Sequence, residues 1–254
     1  MAGILLCGCN GKMGRAVTLA VAEKGTSEII AGIDINTESK FGYPVFGSPS
    51  LIDKNLIEKI DVIIDFSNPA VLGGLLEFAA ANNKAAVICT TGLNDSQKSL
   101  IKSASEKIPV FFSANMSLGV NLICELAKKA AAVLGDSFDI EIVEMHHNQK
   151  IDAPSGTALM IADEIKSELG DDIRYEYDRQ SKREKRTKRE IGLHAVRGGT
   201  ITGEHEIIFA GHDEIIKISH SARSKELFAT GAVNAAEFIS GKGAGLYDMK
   251  NMLR

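Results

Sequence analysis

Through the first half of the chain, short runs of consecutive apolar residues alternate with stretches in which apolar positions recur at helical spacing. Residues 3–8 (GILLCG), 28–34 (EIIAGID), 61–65 (DVIID), 85–90 (AAVICT) and 108–114 (IPVFFSA) read as strands. Between them Lys12–Lys24 reads as a helix with Val17, Leu19, Ala20 and Val21 on its apolar side. A short helix is predicted near 51–59, and longer ones over 69–82 and 95–106. Pro69 opens the first of these, where the missing N–H costs nothing. Strands alternating with helices indicate βαβ units and a parallel sheet, and strands apolar along their whole length suit burial on both faces.

From about Ser117 the texture changes. A long helix is predicted over Leu118–Leu134, a strand over 138–145 and a helix over 155–169. Residues 171–190 are hydrophilic, and the segments LHAVRGG, TITGEHEIIFAG and EIIKISHSA then read as strands of a mixed or antiparallel sheet. Residues 226–238 turn helical again. The pattern predicts one domain over 1–117 and 228–254, enclosing an α+β domain over 118–227. Chain ends that lie close together permit such an arrangement.

Composition narrows the classes. The 254 residues are 44% hydrophobic and 24% charged, enough apolar side chain for a substantial core. A formal net charge of −4 argues against a general nucleic-acid binder. No apolar run approaches the roughly 20 residues of a membrane span, and the opening MAGILLCGCNGKMG reads as a buried strand and a turn. Cys7, Cys9, Cys89 and Cys124 show no metal-type spacing, so a cytoplasmic protein without disulfides is expected. The run KREKRTKR (182–189) holds six basic residues, yet lacks interleaved aromatics and a wider basic face. A solvated loop is expected there, with electrostatic steering of a dianionic substrate as the alternative.

The segment Gly8-Cys9-Asn10-Gly11-Lys12-Met13-Gly14 joins the first strand to the first helix. Glycines at a strand-to-helix turn allow close backbone approach, and the helix start offers N–H groups to a dinucleotide pyrophosphate. The spacing is GxxGxxG, a variant that also serves as a purely structural turn. Asp34 closes the second strand, where an acidic side chain can accept from the ribose hydroxyls of NAD. Neither Ile35 nor Asn36 is basic, so no cation there meets a 2′-phosphate, and NADH is expected in preference to NADPH. Arg15 and Lys40 remain candidates to reach one.

The densest chemistry lies in EMHHNQKIDAPSGTA (144–158). A surface loop accounts for its polarity but not for two histidines, a lysine and an aspartate together. Metal binding by Glu144 and His146 is open, although no further His/Cys cluster completes a site. The third reading is proton transfer beside an anion-binding helix start, with Ser155 as cap and the Gly156 and Thr157 N–H groups directed at a carboxylate.

This segment resembles the E-x-H-H-x-x-K-x-D-A-P-S-G-T-A signature of the dihydrodipicolinate reductase family. Asp65-Phe66-Ser67, Thr90-Thr91-Gly92, Ser113-Ala114-Asn115-Met116, His194 to Gly199, Gly203-Glu204-His205 and Phe228 to Val233 fall in register with it. The resemblance covers essentially the whole chain. It implies an α/β fold with a Rossmann-like dinucleotide-binding domain and a second α+β substrate-binding domain built on a mixed sheet. The implied reaction reduces the cyclic product of dihydrodipicolinate synthase with NADH or NADPH. The 4-hydroxyl leaves as water, giving tetrahydrodipicolinate in lysine and diaminopimelate biosynthesis.

Carried over residue by residue, the resemblance assigns proton transfer to His146 and Lys150. It places His147, Lys150, Gly156 and Thr157 around the carboxylates of a small dicarboxylate substrate. The cofactor residues it implies are Gly8, Cys9, Asn10, Gly11, Lys12, Met13, Asp34, Cys89, Thr90, Thr91, Ser113, Ala114, Asn115 and Met116. It further implies a homotetramer assembled through the second domain's sheet, with no metal, nucleic acid or membrane involved. Cys89 departs from the pattern by standing where glycine usually precedes the Thr-Thr pair. Two rivals stay in view: another small nicotinamide dehydrogenase, which leaves the His-His segment unexplained, and a non-catalytic NAD(H) sensor on the same fold.

Overall fold

A computed structural model describes residues 1–253. In chain order it places β1 (Ala2–Cys7), α1 (Lys12–Lys24), β2 (Ser27–Ile33), β3 (Val45–Phe46), α2 (Lys54–Lys59) and β4 (Val62–Asp65). Then come α3 (Leu72–Ala81), β5 (Ala85–Ile88), α4 (Asp95–Ser105), β6 (Pro109–Phe112), α5 (Leu118–Leu134) and β7 (Asp139–His146). They are followed by α6 (Gly156–Leu169), β8 (Arg174–Glu176), β9 (Glu190–Arg197), β10 (Gly203–Ala210) and β11 (Ile215–Ala222). The chain ends with α7 (Glu226–Ile239), β12 (Gly245–Tyr247) and α8 (Met249–Met252). Two compact units result: Met1–Ser117 with the segment from Glu226 onward, and Leu118–Lys225.

The first unit is built on a seven-stranded sheet in the order β12-β6-β5-β4-β1-β2-β3, parallel throughout. Alternation along each strand feeds two cores. Ile4, Leu6, Val62, Ile64 and Val87 meet Val17 and Val21 of α1 and Ala232, Val233 and Ile239 of α7. Leu5, Cys7, Ile63, Ala86 and Ile88 meet Leu72, Leu75 and Leu76 of α3 and Ile101 of α4. Helices therefore cover both faces, which is why these strands carry no polar alternation. The strand order reverses between β1 and β4, and in such sheets ligands sit beyond the carboxyl ends of the strands at that point.

The second unit pairs β11-β10-β7-β9-β8. The contacts of β10 with β11 and β7 are antiparallel, and those of β9 with β7 and β8 are parallel. The sheet is thus mixed. One face buries Ile140, Ile142, Leu193, Ile207 and Phe209 against Ile123 and Ala127 of α5 and Ile161 and Ile165 of α6. The alternating pattern of β7 and β10, half-buried between buried positions, leaves the other face open.

Several elements differ from the sequence reading. Pro69–Val71 forms a 3₁₀ turn before α3, and the strand predicted to end at Thr90 ends at Ile88, leaving Cys89 and Thr90 in the following loop. The short β3, β8 and β12 have too few residues to show periodicity. The 182–189 stretch is a largely exposed loop, as expected, but it is held by ion pairs rather than free. Arg186 donates to Glu141, Asp139 and the carbonyls of Ile140, Thr187 and Glu190, while Arg179 bridges Glu141 and Glu190. Lys182 pairs with Glu176, Lys188 with Asp139, and Arg189 with Asp136 and Asp172. Acidic side chains on β7 and its neighbours thus take up much of the positive charge, and the segment is strapped to the sheet.

Candidate functional site

Each unit gathers its own set of the residues singled out from the sequence. In the first, Gly8 follows β1 with φ +75°, and a Cβ there would stand 2.5 Å from the Phe66 carbonyl oxygen. A Cβ on Gly14 would meet the Gly8 oxygen at 2.2 Å. Both positions need glycine so that the turn can press against the exit of β4 and the start of α1. The cap position of α1 is Gly11, which supplies no side-chain acceptor. The first-turn N–H groups and the positive end of the helix are thereby left to an anionic ligand.

Asp34 lies just beyond β2. Its carboxylate accepts the Asn10 N–H at 2.9 Å and the Asn36 N–H at 3.1 Å. The Asn10 amide donates to the carbonyls of Asn36 and Glu38, tying the loop after β2 to the glycine turn. A cavity of about 860 Å³ opens here, lined by Gly8, Gly11, Asp34, Ile35, Ser67 and residues of α3 as far as Asn82. Its charged lining residues are Asp34 and Glu77, and no lysine or arginine joins them.

A second cavity of about 370 Å³ is lined by Met13, Phe66, Ser67, Cys89, Thr90, Thr91, Ser113, Ala114, Asn115, Met116 and Phe228. Gly231 on α7 lets that helix approach this loop, since a Cβ there would overlap the Met116 carbonyl oxygen at 1.7 Å. Of the residues assigned to a cofactor from sequence, the two cavities gather all but Cys9, Asn10 and Lys12. The buried Cys9 sulfur packs over Gly32, and burial, with Asp34 nearby, pushes its thiol up to about 11. Asn10 is a tether and Lys12 is exposed. The cradle, the uncapped helix and the paired cavities suit an elongated dinucleotide.

In the second unit the last residues of β7 meet the loop leading to α6. Glu144 has no exposed surface. Its carboxylate accepts from His146 Nδ1 at 2.6 Å, from Arg197 Nη1 and Nη2 at 2.8 and 2.7 Å, and from the Ser155 N–H at 3.0 Å. Burial would raise the carboxyl, but the bonds from Arg197, His146 and Ser155 and the Arg197 charge outweigh it and hold it below the usual range. Glu144 is therefore an ionised acceptor, and His146 Nδ1 must carry a proton. The second imidazole nitrogen points toward Gly203, where a Cβ would stand 3.0 Å away. Glu144 and His146 bind each other, and among the described residues no group of three His, Cys, Asp or Glu is placed to hold a metal.

His205 packs edge-on to His146 with ring centroids 5.3 Å apart, and its Nε2 meets Ser155 Oγ at 3.0 Å. Burial, then the neighbouring His146, pushes it down to about 4, so it is neutral near pH 7. Ser155 caps α6 by accepting the Ala158 N–H, which sets Gly156 and Thr157 in the first helical turn. Lys150 Nζ lies 2.9 Å from the exposed Asp152 carboxylate, which that hydrogen bond holds below the ordinary range. Arg197 also donates to the Asp152 carbonyl, so one guanidinium fixes both Glu144 and the loop bearing Lys150. Sequence reading gave no role to Arg197 or His205. They reach the site by strand pairing, His146 opposite Arg197 and Glu144 opposite His205.

Comparison with known proteins follows this division. Residues 2–116 match the family described as "Dihydrodipicolinate reductase, N-terminus", and residues 119–253 match "Dihydrodipicolinate reductase, C-terminus". A 4-hydroxy-tetrahydrodipicolinate reductase of Caldanaerobacter subterraneus subsp. tengcongensis is 48% identical over 254 residues, covering 100% of this chain and 99% of that protein. One from Clostridium tetani is 47% identical over 253 residues, covering 100% and 97%. Among solved structures, a dipicolinate-bound dihydrodipicolinate reductase from Paenisporosarcina sp. TG-14 superposes with a TM-score of 0.79 at 26% identity, covering 99% of each chain.

Proposed function

The chain belongs to the dihydrodipicolinate reductase family and is a nicotinamide-dependent oxidoreductase of lysine and diaminopimelate biosynthesis, and on that premise we propose how its own residues carry the reaction. The substrate is the cyclic dicarboxylate 4-hydroxy-tetrahydrodipicolinate, which loses its 4-hydroxyl as water and gains hydride at C4 and one proton. The reduced nicotinamide, when bound, supplies the hydride.

His146 is the acid/base group. Its Nδ1 proton is committed to Glu144, so the ring's other nitrogen exchanges a proton with the substrate in the space that Gly203 leaves open. Lys150 holds a substrate carboxylate and assists proton delivery, because an ammonium has three donors and Asp152 engages one. His147 and the α6 start at Gly156 and Thr157 hold the carboxylates, using the positive end of the helix. Cationic and N–H donors stabilise the electron density that builds on the C=C–C=N system as hydride arrives. The observation that carries this reading is the fully buried Glu144 gripping both His146 and Arg197.

NADH is the preferred cofactor, supported by a large cavity whose charged lining is acidic. Assembly is homotetrameric through the open face of the second sheet, where Val196 and Ile215 are exposed. Location is cytoplasmic, in keeping with four free cysteines. The test supplies substrate from a dihydrodipicolinate synthase and follows loss of reduced-nicotinamide absorbance with NADH and NADPH in parallel. Oxidation that falls by at least about a hundredfold in Lys150→Ala is expected. Folded, NADH-binding protein with no turnover would overturn the catalytic reading.

A further inference from the structure

Asp65 ends β4 with no exposed surface, and no step described above uses it. It lies under the smaller cavity of the first unit. Oδ1 accepts the Ser67 N–H at 3.0 Å and the Ser67 hydroxyl, and Oδ2 accepts the Thr90 hydroxyl at 2.7 Å. Its carbonyl oxygen accepts the Cys89 N–H at 2.9 Å. Ser67 and Thr90, the second residues beyond β4 and β5, are therefore tied to one side chain. Burial raises the Asp65 carboxyl from its ordinary value, against the donors of Ser67 and Thr90.

The consequence is directional. A hydroxyl has one proton to donate and two lone pairs to offer. Ser67 and Thr90 direct their protons inward to Asp65, and Ser113 directs its own to the Asn115 carbonyl at 3.0 Å. Ser67, Thr90 and Ser113 are among the residues that line the 370 Å³ cavity, so with their protons held elsewhere these hydroxyls have lone pairs, not protons, left for a ligand there. A pocket of that polarity favours a flat ring bearing N–H donors over an isosteric ring that bears none.

We infer that Asp65 is a positioning residue that sets the hydrogen-bond polarity of the smaller cavity, so that the cavity selects the primary carboxamide of a nicotinamide ring through its NH2 group. This rests on the proposed placement of the cofactor in the first unit. Asparagine at the same position reverses the order of bonds: its amide donates to one hydroxyl, which is then free to turn its own proton outward.

The test compares dissociation constants of NAD+ and of the 3-acetylpyridine analogue, in which methyl replaces the carboxamide NH2 without changing charge. Calorimetry on the full chain reads both. The wild-type protein should bind NAD+ at least about tenfold more tightly, and Asp65→Asn and Thr90→Val should each narrow the gap to about threefold or less. Thr90→Val keeps Asp65 and guards against a failure of Asp65→Asn to fold, which thermal unfolding would reveal. Absence of a preference in the wild type, or a preference unchanged in the folded variants, overturns the inference. Preferential binding without turnover would sink the reductase reading and leave this one standing, whereas turnover without preference would do the reverse.

Discussion

The Nδ1 atom of His146 lies 2.6 Å from Oε2 of Glu144, whose two oxygens are also gripped by the terminal nitrogens of Arg197. An ionised carboxylate accepts only, so this contact fixes which imidazole nitrogen keeps its proton and, on the proposed role of His146, leaves the other for the substrate. Glu144→Gln removes that instruction, since an amide can present its NH2 group to His146. The turnover number should fall by about a hundredfold while KM for the dinucleotide stays near its wild-type value. The double variant Glu144→Gln/His146→Gln should lose little beyond the larger single loss, because the two residues act as one unit. Additive losses in steady-state kinetics would show that Glu144 acts elsewhere.

Gly203 provides a narrower test of the acid/base role proposed for His146. A methyl at this position would come within 3.0 Å of His146 Nε2, and the ring cannot retreat freely while Glu144 holds its other nitrogen. The backbone of Gly203 has no left-handed torsion, so alanine brings steric bulk without backbone strain. Gly203→Ala should fold with a melting temperature near that of the wild type and turn over at least about tenfold more slowly. An unimpaired Gly203→Ala enzyme would mean that Nε2 is not the working atom.

The sequence conveyed the parallel sheet well, because strands buried on both faces appear as unbroken apolar runs and α1, α4 and α5 show helical spacing. What stayed hidden depends on pairing. Arg197 looks like any strand-end arginine until β9 is laid beside β7, which puts it opposite His146. His205 falls opposite Glu144 for the same reason. The basic run is the exposed loop its sequence suggests, but the ion pairs that hold it were hidden, because Asp136, Asp139, Glu141 and Asp172 lie 17 to 53 residues away in the chain. His146 and Lys150 could be proposed from the motif because they are contiguous in the chain, whereas Arg197 and His205, which contact that segment, are not.

His205 links the site to stability. Its folded pKa of about 4 lies below the ordinary histidine value, so between pH 6.5 and 4 the unfolded chain binds more protons than the folded one. Stability contributed by the neutral ring is fully present above the unfolded value and is lost as pH falls toward 4, by roughly 3 kcal/mol at most. Glu144 adds a loss at lower pH, as its depressed carboxyl is protonated. Chemical denaturation across this window should show a slope that flattens in His205→Gln. An unchanged slope would place the titrating group elsewhere.

The proposed preference for NADH rests on Asp34. That residue lines the larger cavity with no lysine or arginine beside it in the lining, so a 2′-phosphate bound there would face a negative charge without a counter-ion. The two candidate cations named from the sequence are engaged: Arg15 Nε donates to the Asn10 carbonyl at 3.1 Å, and Lys40 pairs with Glu38 at 3.1 Å. NADH should therefore give the higher kcat/KM, and Asp34→Asn should raise the NADPH-to-NADH ratio by about tenfold or more. Part of any fall with NADH would reflect the turn itself, because Asp34 also accepts the Asn10 and Asn36 N–H groups. The ratio, which cancels that common loss, is the quantity to measure. A wild-type preference for NADPH would require Arg15 or Lys40 to leave its present partner, and Lys40→Ala and Arg15→Ala would then identify which one does.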